Sequence, residues 1–131
     1  MSTDLRLTLA NRPGTLANAC AALAAAGVKV EGACGDIRPG DRWGYVHLLV
    51  DDATTANEAL GRAGLEVSGE HEVELVDVPP GDVDISAIVS RFTGADRNVE
   101  VFYPTLDGRI AISTEDMRKD RLGVKMSDTR Y

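Results

Sequence analysis

The stretch that decides the fold is Leu5-Arg6-Leu7-Thr8-Leu9-Ala10-Asn11-Arg12-Pro13-Gly14-Thr15-Leu16. Leu5, Leu7 and Leu9 alternate with Arg6 and Thr8, the period-two pattern of a strand with one buried face. Asn11-Arg12-Pro13-Gly14 breaks the alternation. Leu16, Ala19, Cys20 and Leu23 then recur at helical spacing, and Gly27 ends the run. A strand thus feeds through a Pro-Gly break into a helix. Pro13 suits the first helical position, where a missing N–H costs nothing, with Asn11 or Arg12 as the cap.

The pattern extends outward from there. Val28, Val30 and Cys34 predict a second strand, with Gly32 and Gly35 permitting a bend or bulge. Arg38-Pro39-Gly40-Asp41 predicts a turn. Trp43 to Val50 predicts a third strand, with Val46, Leu48 and Val50 on one face and Tyr45, His47 and Leu49 on the other. Asp51-Asp52 caps a second helix whose Ala56, Ala59, Leu60 and Ala63 face inward, and Gly64 stops it. Leu65 to Val78 predicts a fourth strand, interrupted near Gly69. The order is β-α-β-β-α-β, an α+β ferredoxin-like sandwich with two Ala-rich helices on one face of a four-stranded antiparallel sheet. The other face presents Arg6, Thr8, Lys29, Glu31, Tyr45, His47, Leu49, Glu72, Glu74 and Val76, a mixed surface that calls for partial cover.

The rest of the chain can supply that cover. Val83, Ala87, Ile88 and Phe92 predict a helix ending near Gly94. Val99–Tyr103 and Arg109–Ser113 predict a β-hairpin around Asp107-Gly108, and Met117 to Leu122 one further helical turn. At an offset of 67, Val76 falls on Leu9, Pro80 on Pro13, Gly81 on Gly14 and Val83 on Leu16. The expected organisation is a βαββαβ unit over residues 1–79, then an incomplete second copy over 80–131 formed by a helix, a hairpin and a short tail.

The Asn-Arg-Pro-Gly-x-Leu string after a leucine-rich strand, set in the βαββαβ order and followed by Gly27-Val28 at the helix-to-strand join, resembles the opening of the ACT domain. The resemblance covers about residues 4–78. It implies a small regulatory module that binds amino acids and related metabolites, pairs side by side with a second copy, and seats its effector between the first loop-helix junction of one copy and the second strand of the other. The implied ligand-binding residues are Asn11, Arg12, Pro13, Gly14, Thr15, Leu16 and Lys29. Two positions depart from the family pattern: Lys29 stands where an amide side chain is usual, and Leu9 where a polar residue is.

The residues support that use on their own chemistry. A helix N-terminus leaves backbone N–H groups unpaired and carries partial positive charge, a natural seat for a carboxylate. Gly14 puts no side chain between ligand and backbone, and Asn11 offers both a donor and an acceptor. Each also fits a structural role. Asn11 fits helix capping, Gly14 fits close helix-strand packing, and Arg12 fits a solvated loop charge. Leu16 belongs to the core in either case.

Composition excludes other classes. Lys and Arg number 14 against 21 Asp and Glu, a net charge of −7, and aromatics are 5%. Such a surface repels nucleic acid. The acidic and basic residues around Arg118, Lys119 and Arg121 balance as a solvated helix face. The longest uncharged run, Pro13 to Val28, is short for a membrane span of about 20 residues. Met1-Ser2-Thr3-Asp4 carries no leader features. Cys20 and Cys34 form no CxxC, read as small core residues, and suit a reducing compartment. His47 and His71 have no ligand-spaced neighbours along the chain, so they read as sheet residues and no metal is expected. No phosphate loop, nucleophile motif, cofactor motif or general acid-base pair stands out. The expectation is a cytoplasmic, non-enzymatic amino-acid-binding homodimer. The alternative is a regulatory subunit docking on a separate enzyme of amino-acid metabolism.

Overall fold

The computed structural model describes residues 2–79, 81, 84–94 and 97–114. Its elements are β1 (Thr3–Ala10), α1 (Thr15–Ala25), β2 (Val30–Asp36), β3 (Trp43–Val50), α2 (Ala53–Arg62), β4 (Glu66–Glu72), β5 (Glu74–Val76), α3 (Ile85–Thr93), β6 (Val99–Pro104) and β7 (Ile110–Thr114). The first four strands form an antiparallel sheet in the order β2-β3-β1-β4, with β1 central. This is the ferredoxin-like arrangement that the β-α-β-β-α-β order predicts, and Leu5, Leu7 and Leu9 lie on its central strand. Those three leucines are buried with Val46, Leu48 and Val50 under Ala19 and Leu23 of α1 and Ala56 and Leu60 of α2. Burying each leucine contributes about 1.5–3 kcal/mol, and the alanines let both helices lie close to the sheet. Asp52 caps α2 as the sequence predicts, its carboxylate accepting from the Thr55 N–H at 3.1 Å.

The fourth strand does not run unbroken to Val78. Its register against β1 shifts between Arg6 and Leu7, so that Ser68 forms a bulge. After Val73 the chain leaves the first sheet, and β5 pairs with β7 in a second one, ordered β5-β7-β6. Glu74 and Val76 therefore do not lie on the first sheet's open face. Among the described residues, the order β5-β7-β6 of the second sheet parallels β1-β3-β2 of the first. The turn glycines repeat too: Gly14 and Gly81 take φ of +92° and +95°, Gly27 and Gly94 +76° and +56°.

The second sheet covers the first sheet's mixed face. Leu49 packs there against Val73, Val101, Tyr103 and Ala111. On its far side α3 packs Ile88 over Val76, Ile110 and Ile112. The molecule is thus layered helix, sheet, sheet, helix. β7 lies at the centre of the second sheet with both faces covered, and all five of its residues are buried. The hairpin tip braces the edge of β2: Gly32 bridges Thr105, and the Leu106 N–H donates to the Glu31 carbonyl at 2.9 Å. Within that tip Asp107 accepts from Arg109 and Thr105, which hold its carboxyl at about 2. The helical turn expected over Met117–Leu122, with its basic cluster, lies outside the described residues, as does Val83. Among the described residues no helix is long and apolar enough to cross a membrane.

Candidate functional site

The break after β1 is built differently from its simplest reading. The helix starts at Thr15, with Gly14 as the N-cap residue at φ +92° and no side chain capping it. Pro13 sits ahead of the helix instead of at its first position. Neither Asn11 nor Arg12 is the cap, because Gly14's left-handed turn separates both from the helical turn. Asn11 faces the other way. Its side-chain amide donates to the carbonyls of Asp41 at 2.7 Å and Arg38 at 3.2 Å, and its own N–H donates to the Arg42 carbonyl at 2.8 Å. It ties the β1–α1 loop to the β2–β3 turn. The Thr15 hydroxyl is engaged too, donating to the Ala10 carbonyl at 2.8 Å. Arg12 and Pro13 are exposed.

What the loop leaves open is the helix start itself. No acidic residue occupies the first turn of α1. A β-carbon built on Gly14 meets nothing within 4 Å. Leu16 is not a core residue: it is 42% exposed, because the buried stripe of α1 runs through Ala19 and Leu23, and Leu16 stands over the sheet's β2 side. There it joins Cys20, Val30, Ala33, Cys34, Ile37 and neighbours in lining an apolar groove of about 390 Å3. Cys20 and Cys34 are likewise exposed and not in the core, since one rides the outer side of α1 and the other the edge strand.

Lys29 does not join this site within one chain. It precedes β2, its N–H donating to an Asp51 carboxylate oxygen at 3.0 Å. Val30 pairs with Val50, whereas Ala10 pairs with Trp43 at the other end of β3. The seven-residue separation amounts to about 23 Å at roughly 3.3 Å per residue.

No family model matches the chain, and no curated protein matches it. Solved structures do. A protein of Bacteroides thetaiotaomicron superposes with a TM-score of 0.72 at 18% identity, over 88% of this chain and 80% of that one. The ligand-free regulatory subunit of aspartate kinase from Thermus thermophilus superposes with a TM-score of 0.59 at 20% identity, over 86% of this chain and 82% of that one. The likeness is one of fold: both proteins share this layered frame.

A second cluster lies between the sheets, and the sequence does not announce it. Asp4 is fully buried. Its Oδ2 accepts from His47 Nδ1 at 2.8 Å and from His71 Nδ1 at 3.1 Å, and its Oδ1 accepts from the Tyr103 hydroxyl at 2.6 Å. Burial alone would raise the Asp4 pKa, but the histidine and tyrosine hydrogen bonds outweigh it and hold the carboxyl below its ordinary value. His71 is buried, and its Nε2 finds no partner among the described residues. The two histidines are thus more than sheet residues: they converge on one carboxylate from β3 and β4. The sequence signal was parity, since Asp4 shares its strand face with Arg6. Among the described residues no three or more His, Cys, Asp or Glu side chains are grouped to hold a metal ion.

Proposed function

We propose that this chain is a non-catalytic regulatory protein that binds an amino acid at the start of α1, working as a homodimer. The observation that carries the reading is the junction at Leu16, where an uncapped helix start with an open approach at Gly14 runs directly into an apolar groove. The Thr15 N–H donates to the Arg12 carbonyl at 3.5 Å, which leaves the Leu16 and Ala17 amides as the ones that suit the ligand's carboxylate. The groove suits its side chain, which favours apolar amino acids over charged ones. Asn11 acts by positioning the loop, since its side chain is spent on the β2–β3 turn. A second copy is needed if Lys29 is to contribute, because the sheet separates it from the loop within one chain.

A thermal-shift screen against the proteinogenic amino acids tests this. A ligand at 100 times its dissociation constant should add about 2.7 kcal/mol, read as a clear rise in the midpoint for one or a few apolar amino acids. A flat screen would count against the reading. The alternative, a subunit docking on an enzyme of amino-acid metabolism, draws on Trp43 and Ile37, which are 56% and 40% exposed beside the same loop. Co-elution of such an enzyme from native lysate, together with a flat screen, would favour it.

A further inference from the structure

β2 is an edge strand of the first sheet, and the hairpin tip covers its outward side at Glu31 and Gly32, through Leu106 and Thr105. From Ala33 to Asp36 the strand is exposed, and among the described residues it pairs there with β3 alone. Open edges are usually guarded by a lysine or a proline. Ala33-Cys34-Gly35-Asp36 carries neither. Ala33 and Gly35 lie opposite Leu48 and Val46 and so face the helices, whereas Cys34 lies opposite His47 and faces the second sheet. On the helix side the small Ala33 and Gly35 leave open the apolar groove of about 390 Å3. On the other side Cys34, Val101 and Phe102 line a cavity of about 220 Å3. Each face of this short edge therefore has its own recess, and the side chains of an added strand would alternate between the two.

We propose that the Ala33–Asp36 edge takes up an extended peptide segment of a partner protein, apolar along its length and cationic at its ends. Main-chain hydrogen bonds to β2 hold the segment, and the two recesses select its side chains. The net charge of −7 favours a cationic segment. A second copy does not fit in the same way. A two-fold antiparallel pair centred between Cys34 and Gly35 sets residues 37 and 38 of one chain opposite 32 and 31 of the other, where Thr105 and Leu106 already sit. Like net charge opposes that pairing as well. The groove is the one that the amino-acid reading gives to a ligand side chain, so amino acid and peptide exclude each other there. That exclusion rests on the amino-acid reading, whereas the peptide site does not.

The full chain is titrated into fluorescein-labelled Lys-Lys-Val-Leu-Val-Leu-Val-Lys-Lys, and binding is read by fluorescence anisotropy. Saturable binding is expected, with amide exchange over residues 33–36 slowed about tenfold. Proline in place of the central valine removes a main-chain donor and should weaken binding at least about tenfold. Glutamates in place of the lysines should do the same. On the protein, Gly35→Leu fills the groove. A β-carbon there meets Val46 Cγ2 at 3.5 Å, an ordinary contact, so the variant is expected to fold and to bind about tenfold more weakly. No saturation at millimolar concentration overturns the proposal. So does a proline peptide or a folded Gly35→Leu that binds as tightly as its parent. A wild type that is dimeric by light scattering and monomeric as Gly35→Leu gives the edge to a second copy and overturns it too. If Gly35→Leu does not fold, exchange in the wild type decides, and unchanged rates over residues 33–36 refute the site. A flat amino-acid screen leaves this outcome unaffected, so the two readings fail separately.

Discussion

Removing the Asp4 carboxylate takes away the buried acceptor that three donors from three strands, His47, His71 and Tyr103, share. Asp4→Ala is therefore expected to cost about 3–5 kcal/mol. Tyr103→Phe, which removes one hydrogen bond to a buried charge, should cost about 1.5–3 kcal/mol. Urea denaturation measures both, and a loss near zero for Asp4→Ala would show that the cluster does not hold the sheets together. This site was illegible in the sequence for a physical reason: its other members lie 43, 67 and 99 residues from Asp4, and only strand pairing brings them together. The α1 start was legible in kind but not in detail. Pro-Gly marked the break correctly, yet it gave no sign that Asn11 would turn to the β2–β3 carbonyls instead of to the helix. Leu16 misled because helical spacing shows which residues share a face, not how far the sheet beneath extends.

At the scale of elements, the hairpin tip and the β2 edge form one contact. A β-carbon on Gly32 would lie 3.3 Å from the Thr105 Cα, a backbone atom with little room to give. Gly32→Val should push the β6–β7 turn off β2 and break the Leu106 N–H bond to Glu31. Hydrogen exchange at Leu106 would then quicken, while amides of β1 and β3 stay protected. Unchanged protection at Leu106 would mean the tip is held elsewhere, through its Asp107–Arg109 pair for example. The elements themselves were largely readable. β3 begins and ends where its alternation does: Val46, Leu48 and Val50 face the helices and Leu49 the second sheet, while Trp43 and Tyr45 stay exposed. The β4–β5 run was not readable, since a strand that passes from one sheet to the next keeps its apolar alternation across the crossing.

For the molecule as a whole, the inter-sheet cluster sets an acid limit. The folded Asp4 pKa lies below its unfolded value of 3.8, so the group stabilises the fold fully above that value. Its contribution drains away as pH falls from there through the lower folded value. Wild type should lose more stability between about pH 4 and about pH 2 than Asp4→Asn does, measured by urea midpoints, and equal slopes would exclude Asp4 as the source. The central claim is that the whole layered frame presents the start of α1 to an amino acid. Isothermal titration of the wild type and of Gly14→Val with the strongest ligand from the thermal screen tests it most directly. At φ +92° a β-branched residue is strained, and relieving that strain moves the backbone that presents the helix amides. The account predicts a folded variant, somewhat less stable, whose binding is lost. A folded Gly14→Val that binds as tightly as wild type would contradict it and move the site away from the helix start.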